Sequence, residues 1–566
     1  MHYDVAIIGG GPAGATAGSL LKKYKPGLNV AIFERERFPR DHIGESQLPA
    51  ISQILNEMGC WDKVEAANFP IKIGSTNRWG KNPELWDFEF FPSEDFEDQE
   101  RPAKYEGQRR HTAFQVDRSV YDEIVLDHTQ AMGVEVRQET GVKKVFRTGD
   151  RVDRLELESG EEVTAKYYLD ASGHVGIVRR AMGVESEYPT TLQNIALWDY
   201  WQNAEWAVKI GVGGTKIQVM SLGYGWIWFI PLGPTRTSIG LIVPAEYYKT
   251  HGLRPEQLYL EALASEDRIA ALVESATREH KFATTKDWSF LAARQSGENW
   301  FLVGESGGFA DPILSAGMTI AHCAGREAAF TVLELERGRL DPAWLKEQFD
   351  LRQSQRVKSH IRFADFWYTA NAQFVDIKEC TQGIARDVGL DLTPEKAWNW
   401  LAQGGFIDEE LFAGVGSFSL SVVKGLSKVL SDLPTESPLE SFNTFKLNLA
   451  DAAYRTGAKY FEGRVYETQS YSRDGKVLPV DGRFQVVVNV LQQYASMDQI
   501  MDSLSKGIER MDPGVRESVF TETMEAFEAM ICDGWIDASY DPSRPKYARV
   551  KYQDRAIRLN KDTLPS

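Results

Sequence analysis

Apolar and polar positions follow three different rhythms along the chain. Near the N-terminus a continuous apolar run, "VAII" (5–8), meets the glycine-rich "GGGPAG" and then a helical pattern, "ATAGSLLKK". A second run, "NVAIFERE" (29–36), follows at once. Short apolar runs closed by small residues recur at "YYLDASG" (167–173) and "NWFLVGES" (299–306), the latter feeding a helical stretch to Ala329. Such runs read as buried strands between helices. Between residues 186 and 285 the period falls to two, in "KIQVMSL" and "TSIGLIV", which predicts a strand-rich sheet. From about residue 480 the pattern reads helix, helix, helix and then a two-strand wing in "GWIDASYDPSRPKYARVKY". The expected fold is α/β: a Rossmann-like domain with a mixed-sheet substrate domain, plus a mostly helical C-terminal region ending in a winged-helix-like unit. The expected boundaries are 1–345 for the nucleotide-binding and substrate-sheet module (substrate sheet about 80–110 and 186–285), 346–480 for the helical region and 481–566 for the winged-helix-like unit.

Composition narrows the function classes. A chain of 566 residues with 43% hydrophobic and 26% charged residues is that of a globular protein. The net charge of −17 argues against a general grip on nucleic acid or an anionic membrane. Four cysteines lie far apart without a CxxC pair, and the first strand starts almost at Met1, so a cytoplasmic chain with reduced thiols is expected. No apolar run approaches the roughly 20 residues that cross a bilayer. The nine histidines form no HxH or HxxxH cluster, and no metal site is expected.

The fingerprint Gly9-Gly10-Gly11-Pro12-Ala13-Gly14 sits where a dinucleotide site needs it, after a strand and at a helix start. Gly9 permits the tight turn, Gly11 lets the backbone approach a pyrophosphate, and Gly14 lets helix and strand pack closely. The helix then offers free N–H groups to the phosphates. Glu34, with Arg35 beside it, closes the second strand twenty residues past Gly14, where an acid suits ribose hydroxyls. No second fingerprint appears: "GVGG" at 211–214 follows no strand-to-helix pattern, so no dedicated nicotinamide domain is expected.

The order of this fingerprint, the Asp170-to-Gly173 segment and the late Gly304-Glu305 segment resembles the p-hydroxybenzoate-hydroxylase superfamily of FAD enzymes over about the first 345 residues. The resemblance implies FAD, with Asp170, Gly304, Glu305 and Asp311 among its neighbours. The family's late acid is usually Asp; here it is Glu305. Arg118, in "FQVDRSVYDEIV", matches a flavin-side arginine, or it simply pairs with Asp122 one helical turn on.

Three stretches resemble the flavin-dependent halogenases more narrowly. "FPRDHIGESQLP" would lay Arg40, Gly44, Glu45 and Ser46 along the flavin, and "FPIKIGSTNRWG" puts Lys72 in the place of the family's catalytic lysine. "WIWFIP" (226–231) matches the family's WxWxIP signature in full. The resemblance implies that reduced FAD, delivered by a separate flavin reductase, and O2 turn chloride or bromide into hypohalous acid, which Lys72 passes to an aromatic substrate, free or carrier-tethered. Trp226 and Trp228 would wall the flavin from that substrate, since rigid indoles fill volume at little conformational cost. On pattern alone, simple packing of a sheet is the blander account of both indoles and the favoured one. The backbone N–H groups of Ala316 and Gly317, entering a helix, would hold the halide. Leu314 stands where tryptophan halogenases carry a glutamate, which favours a substrate activated by its own hydroxyl, a phenol. Asp287 of "DWS" is a candidate flavin neighbour or a strand-capping acid. The aromatics of "FADFWYTANAQF" (363–374) line a chamber or form helical core, and the C-terminal unit serves as a lid or a carrier-protein dock. An FAD-dependent monooxygenase, or a reductase of the same fold, is the alternative, and a non-enzymatic FAD module with a winged-helix regulator a third reading.

Overall fold

The computed structural model describes residues 1–79, 84–188, 193–205, 214–369, 438–473, 476–511, 513–546 and 557–559. Its first layer is a parallel sheet in which His2–Ile8 lies between Val30–Phe33 and Glu162–Asp170, flanked by Glu135–Arg137 and Trp300–Leu302. Strands Arg151–Leu157 and Val142–Thr148 extend it antiparallel. Val5, Ile7, Ala31 and Ile32 are fully buried, as expected of strands covered on both faces. Helix Pro12–Tyr24 packs on this sheet with the 22-residue helix Ala316–Arg337 beside it.

The second layer is a ten-stranded mixed sheet. Its central order is Gln193–Gln202, Arg236–Pro244, Gly225–Pro231, Gly214–Leu222, Ile71–Arg78, Trp86–Glu89. The expected sheet limits are therefore corrected at the N-terminal side. The sheet takes in Ile71–Arg78, so Lys72 is a residue of it, whereas 90–110 holds only short 3-10 turns. Strand Gly225–Pro231 is buried along its whole length. Ile227 and Phe229 face a cluster formed with helices Pro255–Ser265 and Asp267–Val273, while Trp226 and Trp228 point to the opposite face. Trp228 lies flat over the neighbouring strand, and only glycine fits beneath it: a Cβ on Gly240 would come within 2.1 Å of the indole.

The C-terminal expectations need more revision. Helix Pro342–Thr369 agrees with them, but the nominally helical region also carries an antiparallel sheet of Ala453–Phe461, Arg464–Arg473 and Lys476–Val480. Its first turn is Glu462-Gly463, at φ of 46° and 72°, the two-residue turn with positive φ at both positions that suits the strand twist. Helices Gly482–Leu491, Met497–Ile508 and Pro513–Cys532 fall in the expected order. Of the expected two-strand wing, Ile536–Ser539 pairs with Thr444–Leu447, which buries Phe445 among the three helices, and the stretch expected to pair with it lies largely outside the described residues. Ile557–Leu559 joins the substrate sheet along Trp86–Glu89. Wing residues Arg549 and Lys551 lie outside the described residues. Among the described residues no helix is long and apolar enough to cross a membrane.

Replacing Gly240 by Ala is expected to lower the unfolding free energy by about 1–3 kcal/mol, because the added methyl overpacks the indole; urea denaturation measures it.

Candidate active site

A cleft of about 550 Å³ runs along the C-terminal ends of the parallel strands. Gly9, Gly11, Pro12, Ala13, Glu34, Arg35, Arg40, Arg118, Glu305 and Gly317 all line it. The three glycines of the fingerprint divide their work as the sequence suggested. Gly9 has φ +104°, and a Cβ there would meet the Ala171 carbonyl oxygen at 2.4 Å. A Cβ on Gly14 would meet the Gly9 carbonyl oxygen at 2.0 Å. A Cβ on Gly11 would meet only the Arg40 Nη2, at 3.8 Å, so the cleft is open where a pyrophosphate has to come close.

Glu34 is partly spent on its own chain, accepting the N–H of Gly10 at 2.7 Å and of Glu36 at 2.8 Å. Arg118 lines the cleft and pairs with Asp122. Its Nε and Nη2 hold Asp122 in a bidentate pair at 2.8 Å each, while Nη1 donates to the carbonyls of Ile43 and Gly44 at 2.9 and 3.0 Å. Arg40 shares Asp122 at 3.3 Å, and its buried Nη1 makes no hydrogen bond. A cleft with an open glycine turn, a helix N-terminus and the Arg40 Nη2 close to Gly11 fits the diphosphate of FAD.

Other expected cofactor residues act from behind the cleft. Asp170 accepts from the N–H groups of Ser172, Val178 and Arg179 and so shapes the loop whose Ala171, Ser172 and Gly173 do line it. Gly304, at φ +69°, packs against Ala321 and Ala13. Gly44, Glu45 and Ser46 form the segment that Arg118 fastens down. Glu45 is buried, and neither carboxylate oxygen makes a hydrogen bond of good geometry. Burial pushes it up to about 7 against the opposing hydroxyls of Ser238 and Tyr200. The side chain of Asp287 lies outside the described residues.

The turn from Asp311 to Ser315 separates the cleft from the lysine. Asp311 caps the turn Pro312–Leu314 by accepting the Ile313 N–H at 2.9 Å. Ser315 then adopts φ 55° and the helix begins at Ala316, leaving its first N–H groups without intrahelical acceptors. Gly317 faces the cleft, whereas the Ser315 Oγ lies 3.4 Å from the Lys72 Nζ. Two residues span about 7 Å at most, so cleft and lysine are one helix start apart.

Lys72 is 3% exposed. Ordinary strand alternation puts it on the face opposite Ile71 and Ile73, which share one core cluster; beside it the pairing skips Ile73, with Lys72 opposing Thr215 and Gly74 opposing Lys216. Its surroundings are Ser315 and the Phe90 ring, with Nζ 5.8 Å from the ring centre. Among the described residues it pairs with no carboxylate, and desolvation brings its pKa down to about 7.

Trp226 and Trp228 stand side by side, with ring centres 6.1 Å apart. Sequence reasoning missed what holds them. The Trp226 Nε1 donates to the Tyr368 hydroxyl at 2.7 Å and the Trp228 Nε1 to the Ser238 Oγ at 3.2 Å. Trp79 packs edge-on to Trp226 and leans on Trp367. Of the aromatic run 363–374, Trp367 and Tyr368 thus back the indole wall, and residues from 370 onward lie outside the described ones. The doubled aromatic in "FWY" was the available signal, but its helical spacing is equally that of ordinary core.

Comparison with known proteins agrees with this geometry. The family model for tryptophan halogenase matches residues 4–99 and 93–374. A tryptophan 2-halogenase of Chondromyces crocatus is 33% identical over 347 residues, covering 60% of this chain and 62% of that protein, so the match spans less than two thirds of the relative's length. A chlorinase of Pseudomonas fluorescens that acts on pyrrole-2-carbonyl-peptidyl-carrier protein is 29% identical and covers 66% of this chain and 85% of its own. CmlS, a flavin-dependent halogenase of known crystal structure, shares the fold at a TM-score of 0.71 and 24% identity, covering 96% of this chain and 97% of that one. The matched residues include the nucleotide cleft, the buried lysine and the indole strand together, and the chain belongs to the tryptophan halogenase family of flavin-dependent enzymes.

Proposed function

We propose that this protein halogenates an activated aromatic, a phenol, free or tethered to a carrier protein, with reduced FAD supplied by a separate reductase. The observation that carries this reading is Lys72, buried without a counter-charge and one helix start away from the cofactor cleft. FAD, when bound and reduced, supplies the two electrons by which O2 and halide become hypohalous acid and water. The chain's own residues do the rest. The N–H groups of Ala316 and Gly317 hold the halide at the cleft end of the turn. Trp226 and Trp228 exclude the organic substrate from the cleft.

With its pKa near 7, Lys72 is shared between ammonium and amine at neutral pH. The ammonium donates hydrogen bonds to hypohalous acid and polarises it. The amine takes the halogen directly, RNH2 + HOX giving RNHX + H2O. Either way the ring exchanges a proton for halogen, ArH + HOX giving ArX + H2O. The carrier-bound pyrrole of the Pseudomonas relative supports a tethered substrate, and Leu314, in place of an acid, supports a ring activated by its own hydroxyl.

With a flavin reductase, NADH, O2, bromide and a reactive phenol, the protein is expected to give a product with the bromine isotope doublet by mass spectrometry. A hydroxylated phenol without bromine refutes halogenation in favour of a monooxygenase. Lys72→Ala is expected to lower bromination by about 100-fold or more, in the range of lost acid–base assistance, while FAD affinity by fluorescence titration stays within about threefold.

Stability supplies an independent check. The pKa of Lys72 lies below its ordinary 10.5 in the fold, so above pH 7 the unfolded chain binds more protons. The penalty is complete below pH 7 and fades as pH rises toward 10.5. Lys72→Met is therefore expected to stabilise the protein at pH 7, with about 5 kcal/mol as ceiling, and the gain should shrink toward pH 10 in denaturation curves. A gain that does not vary with pH refutes the buried charge.

A further inference from the structure

The indole wall and the halide turn are joined by one side chain from outside both. Tyr368 belongs to helix Pro342–Thr369, which follows the nucleotide-binding and sheet layers in the chain. Its hydroxyl accepts the Trp226 Nε1–H at 2.7 Å and donates to the Asp311 Oδ1 at 3.2 Å. A phenolic hydroxyl has one proton to give and two lone pairs. Asn194 approaches a second lone pair at 3.3 Å and also donates to the Asp311 Oδ2 at 3.3 Å. Asp311 in turn accepts the Ile313 N–H and so sets the turn that ends at Ser315, the residue beside Lys72.

We propose that Tyr368 is a positioning residue for halide binding: through Asp311 it fixes the turn that presents the N–H groups of Ala316 and Gly317, and through Trp226 it fixes the wall against that turn. The inference rests on the halide role given to that turn above. Three elements distant in sequence meet at this hydroxyl, on Gly225–Pro231, on the 311–315 turn and on the helix of Tyr368, and the Asn194 amide braces them from a fourth. Asp311 and Asn194 are buried, and Tyr368 is only partly exposed, so the bonds form where water competes little. Asp311 shares this setting with Asp365, one helical turn before Tyr368, and burial pushes the Asp311 carboxyl up to about 7. A carboxyl so poorly solvated depends on the donors it has. Removing the Tyr368 hydroxyl withdraws one of them and frees the indole N–H in the same step. Trp79, edge-on to Trp226 and tilted against Trp367, keeps the ring in place but its indole offers that N–H no nitrogen acceptor, its Nε1–H being a donor only, given to the Trp367 carbonyl at 2.7 Å.

The test uses the FAD-loaded full chain and needs no turnover. Bromide affinity is read from quenching of flavin fluorescence, and FAD affinity is titrated separately. Tyr368→Phe is expected to weaken bromide binding about tenfold while FAD affinity changes less than twofold. The indole N–H resonance that disappears in Trp226→Phe should exchange with solvent at least tenfold faster in Tyr368→Phe. Bromide affinity within twofold of the parent overturns the proposal. If Tyr368→Phe fails to bind FAD, Asp311→Ala decides instead: it removes the acceptor through which Tyr368 reaches the turn, and unchanged bromide affinity there overturns the proposal equally. The two readings fail separately. Weakened bromide binding in a protein that never brominates a phenol upholds the coupling and sinks the activity; bromination with normal bromide binding in Tyr368→Phe does the reverse.

Discussion

A lone ammonium inside a protein is the constraint around which this molecule is arranged. Several other buried charges among the described residues are paired. Glu65 takes Arg101 and Arg109, Asp122 takes Arg118 and Arg40, and Glu327 takes Arg352 and Arg356. Lys72 has a serine hydroxyl and the face of a phenylalanine. Its other neighbour is the start of a helix, whose N–H groups carry roughly half a positive charge. Two positive ends facing each other lower the affinity of the site for a proton and raise it for an anion. Burial is what brings the amine toward neutrality, and the helix start beside it is where we propose that halide binds.

The substrate sheet makes that arrangement possible. A regular strand would send alternate side chains of Ile71–Arg78 to opposite faces. Lys72 keeps that alternation, on the face opposite Ile71 and Ile73, with the skipped pairing at Ile73 beside it. Gly74 lets the next strand come close, since a Cβ there would lie 2.0 Å from the Phe88 carbonyl oxygen. Gly240 does the same for Trp228. One face of the sheet is thus shaped by tryptophan over glycine, and the other is an ordinary aliphatic contact with two helices. Uniform packing on one side leaves the unusual geometry of the other free to be set by function.

The segment 40–46 needs fixing because it runs between the cleft and the sheet. Arg118 grips its carbonyls, and Arg236 on the sheet reaches Asp41, Asp117 and Glu279 together. Lys281 adds a second contact to Asp41. These are multidentate arginine contacts, which carry geometry as well as energy. They tie the nucleotide-binding layer to the substrate sheet without placing a charge beside Lys72.

What the sequence determined by itself was local. The glycines at 9 and 14 announce their turn because a Cβ at either would clash with backbone, Gly11 leaves the cleft open, and the period of the apolar runs separates parallel strands from the two-period sheet. Lys72, Trp226 and Trp228 could be named from short stretches that resemble a known family. The hairpin at 453–473 was also legible, in the alternation around Glu462-Gly463, but a coarse reading of the tail as helical passed over it. Tertiary structure alone decided the rest, because burial and partners depend on residues far away in the chain. That Lys72 meets Ser315 across 243 positions, that Asp170 shapes a loop instead of touching the cleft, and that Tyr368 joins Trp226 to Asp311 follow from how layers stack. Hydrogen bonds and desolvation act through space over a few ångströms, and no spacing along the sequence records them.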